Sequence, residues 1–241
     1  MSDGAGPAVT STGADSAAAA ISALPSADDE MMRRMDELLR FYGVVWLRSV
    51  LTEEEQQGLY LQIGGATPKT TKGSPANFHI SSAGQRIESL HELGEVLFNR
   101  VADQLGSVSA ENNTPCLRRM ARAYSGDVPV KVAHVTGVAY WPGHVLSNHT
   151  DCAKPLYTMS LALGEACDFT IGRKTTRPHK NEISGPPITV VMQSGDALFF
   201  DGGSVPHSVD RIHSGTAPRF WRRGSSSSVA RVSVLFREPR F

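Results

Sequence analysis

The order of apolar and polar positions divides the chain into stretches with different periods. The first 28 residues have none. Twenty-one of the first 28 are Ser, Gly, Ala, Thr or Pro, too little apolar mass to offset the entropy of ordering, so residues 1–28 are expected to form a disordered tail. A helical period begins after Ser26, with Met32, Met35, Leu39 and Tyr42 as its apolar stripe and Gly43 as its stop. Val44 to Leu47 reads as a strand. Thr52 with Glu55 signals a capping box, predicting a second helix that ends at Gly64-Gly65. Residues 64–87 show no clear periodicity; they carry Lys69, Lys72, His79 and Arg86 without one acid and read as a basic loop. A third helix is predicted over Ser89 to Leu105, with Leu90, Leu97, Val101 and Leu105 on one stripe and Gly106 as its stop.

From Val130 onward the period becomes two. Strand-like runs at 132–140, 145–151, 156–163, 188–193, 197–201, 206–211 and 229–237 are separated by Gly, Pro and Ser clusters. Many short strands with helices only in front predict an α+β fold, a double-stranded β-helix (jelly roll) with supporting N-terminal helices. The expected organisation is one domain over 29–241 with its jelly-roll core at 130–238. Ser225 to Ser228 reads as a flexible linker, and no internal repeat is present.

Charge changes this picture locally. The 241 residues carry formal net charge zero. Residues 1–30 hold five acids and no base, whereas 211–240 hold seven arginines and one acid. A basic patch of this kind suits a polyanion. Cys116, Cys152 and Cys167 have neither zinc-finger nor disulfide-framework spacing, which points to a reducing compartment. The tail lacks the positive charge of a mitochondrial presequence, and Ala17 to Ile21 is too short for a secretory core. No apolar run approaches membrane-spanning length. A nuclear or cytoplasmic monomer, not secreted and not membrane-bound, is expected.

Candidate chemistry follows from the period-two region. On a strand, residues i and i+2 share a face, so His149 and Asp151 can present an imidazole and a carboxylate to one metal ion. His207 supplies a third ligand if the sheet rolls up. Two histidines and one carboxylate make the facial triad of non-haem Fe(II) oxygenases, which leaves positions open for a co-substrate and O2. A His-x-Asp alone is common; the last strand is more telling. Its odd positions put Arg231, Ser233, Leu235 and Arg237 on one face, and Val232, Val234 and Phe236 make the opposite face apolar. Two inward guanidinium groups require anions, because an unpaired buried charge is very costly. Roughly 20 Å apart on a straight strand, they suit the two ends of a small dicarboxylate.

His149-Thr-Asp151, then His207, then Arg231 followed by Arg237 resembles the AlkB family of Fe(II)/2-oxoglutarate dioxygenases. Tyr140 ahead of Pro142-Gly143, the run Pro155 to Leu163, and Ser194 to Gly203 match as well, and the resemblance covers roughly 137–238. It implies Fe(II) held by His149, Asp151 and His207, with 2-oxoglutarate and O2 as co-substrates. Tyr140 and Arg231 would hold the distal carboxylate, Ser233 would add a hydrogen bond, and Arg237 would lie near the metal-side end. It also implies oxidative removal of N-alkyl groups from nucleobases in DNA or RNA, as in nucleic-acid repair, with 64–87 as a substrate lid. The substrate would be alkylated, single-stranded nucleic acid, stacked by Phe78 or His79 and gripped by Arg219 and Arg222 beside the pocket mouth.

Three positions depart from the family pattern. Val138 and Ser233 stand where Asn is common, which weakens co-substrate contacts, and Ala153 replaces an acid that helps read the base in bacterial relatives. A second reading therefore keeps the chemistry and changes the substrate to a protein side chain, lipid or metabolite. A third is a non-catalytic, metal-stabilised binding module, with Arg211, Arg219, Arg222 and Arg223 on a phosphate-bearing partner. His144, five residues before the first ligand and on the opposite strand face, reads as a turn or surface residue, and His134, His179 and His213 have no partner at ligand spacing. Asp201 reads as turn chemistry with Gly202-Gly203, close enough in sequence to support a ligand.

Overall fold

In a computed structural model of the chain, the residues described are 26–64, 66–69, 73–82, 84–106, 130–152, 156–174, 183–221 and 229–238. The tail up to residue 25, the 225–228 linker, Cys116, Ala153, His179, Arg222 and Arg223 lie outside them. The chain divides into two units, Met1–Arg33 and Arg34–Phe241. In the first, Ser26 caps the opening turn of α1 (Ala27–Tyr42), its Oγ accepting the Asp29 N–H at 3.1 Å. The part of α1 from Arg34 on and all later elements belong to the second.

The end of α1 buries Leu38 and Tyr42. The predicted stripe is thus rotated, and Met32 is 60% exposed. Gly43, at φ 65°, ends the helix with its N–H on the Leu39 carbonyl. After β1 (Val45–Leu47), α2 (Glu53–Ile63) opens on the expected capping box: Thr52 Oγ1 accepts the Glu55 N–H, and the Glu55 carboxylate accepts the Thr52 N–H. In α3 (Glu88–Gly106), Leu90, Leu97, Val101 and Leu105 are all buried. A Cβ at Gly94 would sit 2.7 Å from Phe236 Cδ1, so the glycine lets α3 lie close against the last strand.

The remaining strands are β2 (Ala76–Ser82), β3 (His134–Tyr140), β4 (Leu146–His149), β5 (Tyr157–Gly164), β6 (Ala166–Ile171), β7 (Ile188–Met192), β8 (Ala197–Asp201), β9 (His207–His213) and β10 (Arg231–Arg237). They form a six-stranded sheet, β1-β8-β5-β10-β3-β2, and a four-stranded sheet, β4-β9-β6-β7, with every described pairing antiparallel. β10 runs between β3 and β5, so both of its backbone edges are paired. Val232, Val234 and Phe236 are fully buried on its helix side. Its other face, Arg231, Ser233, Leu235 and Arg237, looks into the space between the sheets.

Two strands differ from the expectation. Residues 76–82, within the stretch read as a basic loop, form β2 at the edge of the larger sheet. One aliphatic residue in Asn-Phe-His-Ile-Ser-Ser gives no local signal; pairing with β3 makes the strand. β6 was not anticipated. It follows β5 across a tight turn at Gly164, φ 94°, and its mid-strand Asp168 reads as a break. In the sheet Asp168 pairs with Arg211 at 2.9 Å and with His213 at 2.7 Å. Among the described residues no helix is long and apolar enough to cross a membrane.

Candidate metal centre

The end of β4 and the start of β9 bring three ligand-type side chains together. His149 and His207 are register partners, with ring centroids 4.4 Å apart. Asp151, just past β4, places Oδ1 3.5 Å from His149 Nε2 and 3.7 Å from His207 Nε2. One ligand atom from each of the three lies within 4.8 Å of the others. Both rings are fixed from behind. His149 Nδ1 donates to the Ser147 carbonyl at 2.7 Å, and His207 Nδ1 to the Val205 carbonyl at 3.0 Å. A carbonyl can only accept, so each Nδ1 carries hydrogen and each Nε2 is turned toward Asp151, the arrangement that metal-binding histidines use.

Electrostatics favour the ligating protonation states. Burial works against ionisation of Asp151, but the neighbouring His149, His207 and Arg237 outweigh it and hold the carboxyl below its usual range. Burial pushes the His207 imidazole below the usual histidine range, against the pull of Asp151. Phe200 and Phe169 pack on that ring at centroid distances of 4.7 and 5.9 Å. Gly202 makes room for the carboxylate, since a Cβ there would come within 2.3 Å of Asp151 Oδ2. Two imidazoles and one carboxylate are a donor set suited to Fe(II), with several coordination positions left over.

Arg237, at the metal end of β10, lies 3.4 Å from Asp151 Oδ2. Arg231, at the other end, is fully buried. Its Nη1 donates to the Glu165 carbonyl at 2.9 Å, Nη2 faces Met192 Sδ at 3.9 Å, and Nε has no hydrogen-bond partner. No carboxylate lies within ion-pair distance of Arg231 among the described residues. A guanidinium buried against a carbonyl and a thioether carries an uncompensated charge, which burial makes costly. Tyr140, its register partner, is held above the usual tyrosine range by burial and bonds to the Ser233 hydroxyl. Both hydroxyls are therefore neutral donors.

A cavity of about 720 Å3 opens at the Arg237 end. The metal ligands, Arg237, Ser233, Tyr140, Val138, Thr158 and Ser160 line its inner part. Arg231 is not a wall residue; its register partner Tyr140 and Ser233, two along the same strand, are. Asn77, His79, Thr136, Leu146 and Asn148 line the rest. Asn77, Thr136, Thr158, Ser160 and Asn148 were missed as site residues. Thr158 and Ser160, two apart in β5, could have been found by treating 157–163 as a strand with a small polar inner face.

The substrate candidates separate. His79 pairs with Thr136 on the cavity side of the sheet. Phe78 borders the cavity, but its ring covers Gly137, where a Cβ would meet Phe78 Cζ at 2.2 Å, on the face opposite Thr136 and Val138. Phe78 thus has its ring on Gly137 and still contributes to the cavity lining. Arg219 is exposed, its backbone N–H bonded to Glu53, and it belongs to the segment running into Trp221 beside Gly164, at the Arg231 end of the barrel. Arg211 is taken up by Asp168. Neither arginine lines the cavity, and Arg222 lies outside the described residues.

No family model and no curated protein matches the sequence. Solved structures do match. OsALKBH1 superposes with a TM-score of 0.56 at 16% identity, over 81% of this chain and 98% of its own. The non-haem α-ketoglutarate-dependent carbocyclase SnoK from nogalamycin biosynthesis has a TM-score of 0.50 at 13% identity, over 89% of this chain and 87% of its own. The chain has the double-stranded β-helix fold. In this β-helix the metal-ligand trio sits between the two sheets, toward the Arg237 end of the barrel. At these identities the likeness concerns fold, and the chemistry rests on the residues just described.

Proposed function

We propose that this protein is an Fe(II)- and 2-oxoglutarate-dependent oxygenase. The observation that carries the reading is Arg231, a buried guanidinium without a counter-anion, on the same inward strand face as an arginine that touches the metal-ligand trio. Fe(II) would be held by His149, Asp151 and His207, and it would supply activation of O2 coupled to oxidative decarboxylation of 2-oxoglutarate. The protein's own groups bind and orient. Arg231 offers its fork of donors to the distal carboxylate, Tyr140 and Ser233 add neutral hydroxyls, and Arg237 balances charge beside Asp151. Phe169 and Phe200 keep water away from the His207 side.

The substrate we propose is an N-methylated nucleobase in unpaired nucleic acid; with O2 and 2-oxoglutarate consumed and succinate and CO2 formed, the methyl carbon would leave as formaldehyde and the base would stay in the strand. Asn77, His79, Thr136 and Asn148 offer donors and acceptors suited to the edge of a planar heterocycle, and extruding a base costs least where pairing is already broken. One observation favours a second reading, a small neutral metabolite or protein side chain. Among the described wall residues Arg237 is the single Arg or Lys, and it faces Asp151.

The test incubates the protein with Fe(II), 2-oxoglutarate and methylated single-stranded DNA or RNA, measuring succinate and formaldehyde, with Asp151→Ala as control. Succinate that requires Asp151, with formaldehyde in step, supports both proposals. Asp151-dependent succinate without formaldehyde from any oligonucleotide moves the substrate to the second reading. Succinate unchanged by Asp151→Ala sinks the metal assignment.

A further inference from the structure

Asp201 closes β8 with a fully buried carboxylate that none of the chemistry above uses. Its Oδ1 accepts the N–H of Gly203 at 3.1 Å and that of Leu156, across the chain, at 2.8 Å. The Asp201 carbonyl accepts the N–H groups of Ser204 and Val205 at 3.1 and 2.9 Å. Both levels of bonding shape one turn, residues 201–205, and that turn touches two metal ligands. The Gly202 carbonyl accepts the Asp151 N–H at 2.7 Å, and the Gly202 N–H donates to the Leu156 carbonyl at 2.8 Å. The Cα of Gly202 lies against the Asp151 carboxylate, where a Cβ would be 2.3 Å from Oδ2. Three residues on, the Val205 carbonyl fixes the His207 imidazole through Nδ1 at 3.0 Å.

The two ligands come from strands far apart in sequence, and no hydrogen bond between their side chains sets their spacing. We propose that Asp201 is a positioning residue for the metal centre. Its carboxylate locks the 201–205 turn onto Leu156, and the turn registers the backbone of Asp151 against the ring of His207. The role is geometric, through carbonyls at fixed positions, and Asp201 itself touches neither metal nor substrate. The proposal rests on the metal reading of the trio.

The test uses Co(II), titrated calorimetrically and by its visible d–d bands, on the full chain with thermal unfolding of the metal-free protein alongside. Asp196 is the internal control. It is equally buried, at the other end of β8, and holds Ser49, Gln193 and Arg48 instead of the ligand turn. Asp201→Ala is expected to weaken Co(II) binding by about ten- to a hundredfold, the usual size for a group that orients a ligand, and to alter the d–d bands. Asp196→Ala is expected to lower the unfolding temperature with Co(II) affinity and bands as in the parent. Asp201→Asn keeps the Oδ1 acceptor for both N–H groups and should restore most of the affinity.

If Asp201→Ala binds Co(II) as the parent does, or loses no more affinity than Asp196→Ala, the proposal is wrong. Should Asp201→Ala fail to fold, Asp201→Glu decides. It keeps charge and burial but displaces the acceptor by one methylene, so parental affinity and bands there overturn the proposal and weakened, shifted binding upholds it. A parent protein that binds no Co(II) overturns the metal reading first and this proposal with it.

Discussion

Two arginines on one face of β10 meet opposite surroundings. Arg237 stands at the open end, partly exposed, 3.4 Å from the Asp151 carboxylate. Arg231 stands at the closed end, without any exposure and, among the described residues, with one carbonyl as its oxygen acceptor. The strand alternation that makes them equivalent in sequence says nothing of this difference. Arg237 is balanced by the protein and tunes a ligand. Arg231 has no carboxylate partner among the described residues, and a buried charge in that condition lowers stability unless an anion joins it.

The largest expected effect breaks the closed end. Arg231→Met fills the volume without the charge, so the metal-free protein should unfold at the same or a higher temperature. It should also lose about a hundredfold or more in 2-oxoglutarate affinity, on the order of 3 kcal/mol. Calorimetry on Co(II)-loaded protein, with unfolding measured with and without 2-oxoglutarate, checks both halves. Arg231→Lys should fall between, because it keeps the charge and loses the fork. A parental 2-oxoglutarate titration in Arg231→Met would assign the co-substrate to another cation.

A smaller effect is expected at the open end. Arg237→Met removes one of the charges that hold the Asp151 carboxyl low, so that carboxyl should rise toward its ordinary range. Co(II) affinity should drop about threefold to tenfold in the acid range where it titrates, roughly 1 kcal/mol, and little at neutral pH, where it stays ionised. The sign with pH follows from the two lowered groups. His207 is held below its unfolded value of about 6.5, and Asp151 below its unfolded value of about 4. Both therefore favour the folded, ligating state at neutral pH. The His207 part is lost as pH falls below about 6.5, and the Asp151 part as pH falls on through its lowered value. Arg237→Met should move the more acidic of these losses to higher pH, seen by titrating Co(II) across the acid range. An unmoved acid limb would remove Arg237 from the electrostatics of the site.

The smallest effect separates both ends from the outer surface. Arg219→Ala should change neither metal nor 2-oxoglutarate affinity by more than about twofold, since exposed substitutions away from special features stay within about 0.5 kcal/mol. Oligonucleotide binding measured at two salt concentrations sharpens this. A clear loss in Arg219→Ala would place nucleic acid over the Arg231 end of the barrel, opposite the cavity side on which His79 lies.

Much of the architecture was legible because it is local. The capping box at Thr52 and Glu55, the stripe from Leu90 to Leu105 and the alternation of 231–237 depend on neighbours within a few residues, and each has its element in the structure. The His149–Asp151 pair was legible for the same reason, as an i, i+2 spacing at a strand end. β2 and β6 were not, because their residues carry weak or interrupted patterns and become strands by pairing with β3 and β9. The stripe of α1 was rotated because Leu38 and Leu39 are equally apolar, and only packing selects Leu38.

What the sequence determined by itself is therefore the set of elements with strong short-range signals, the ligand types, and the two arginines on one strand face. The tertiary structure alone decided which groups meet. It turned Phe78 onto Gly137 and His79 toward the cavity, carried Arg219 to the far end of the barrel, and drew Asp201, Gly202 and Val205 up to Asp151 and His207. Side-chain alternation and capping act over a few residues of chain. The register between strands and the meeting of two sheets are set by hydrogen bonds and burial between residues dozens of positions apart, and no local pattern encodes those partners.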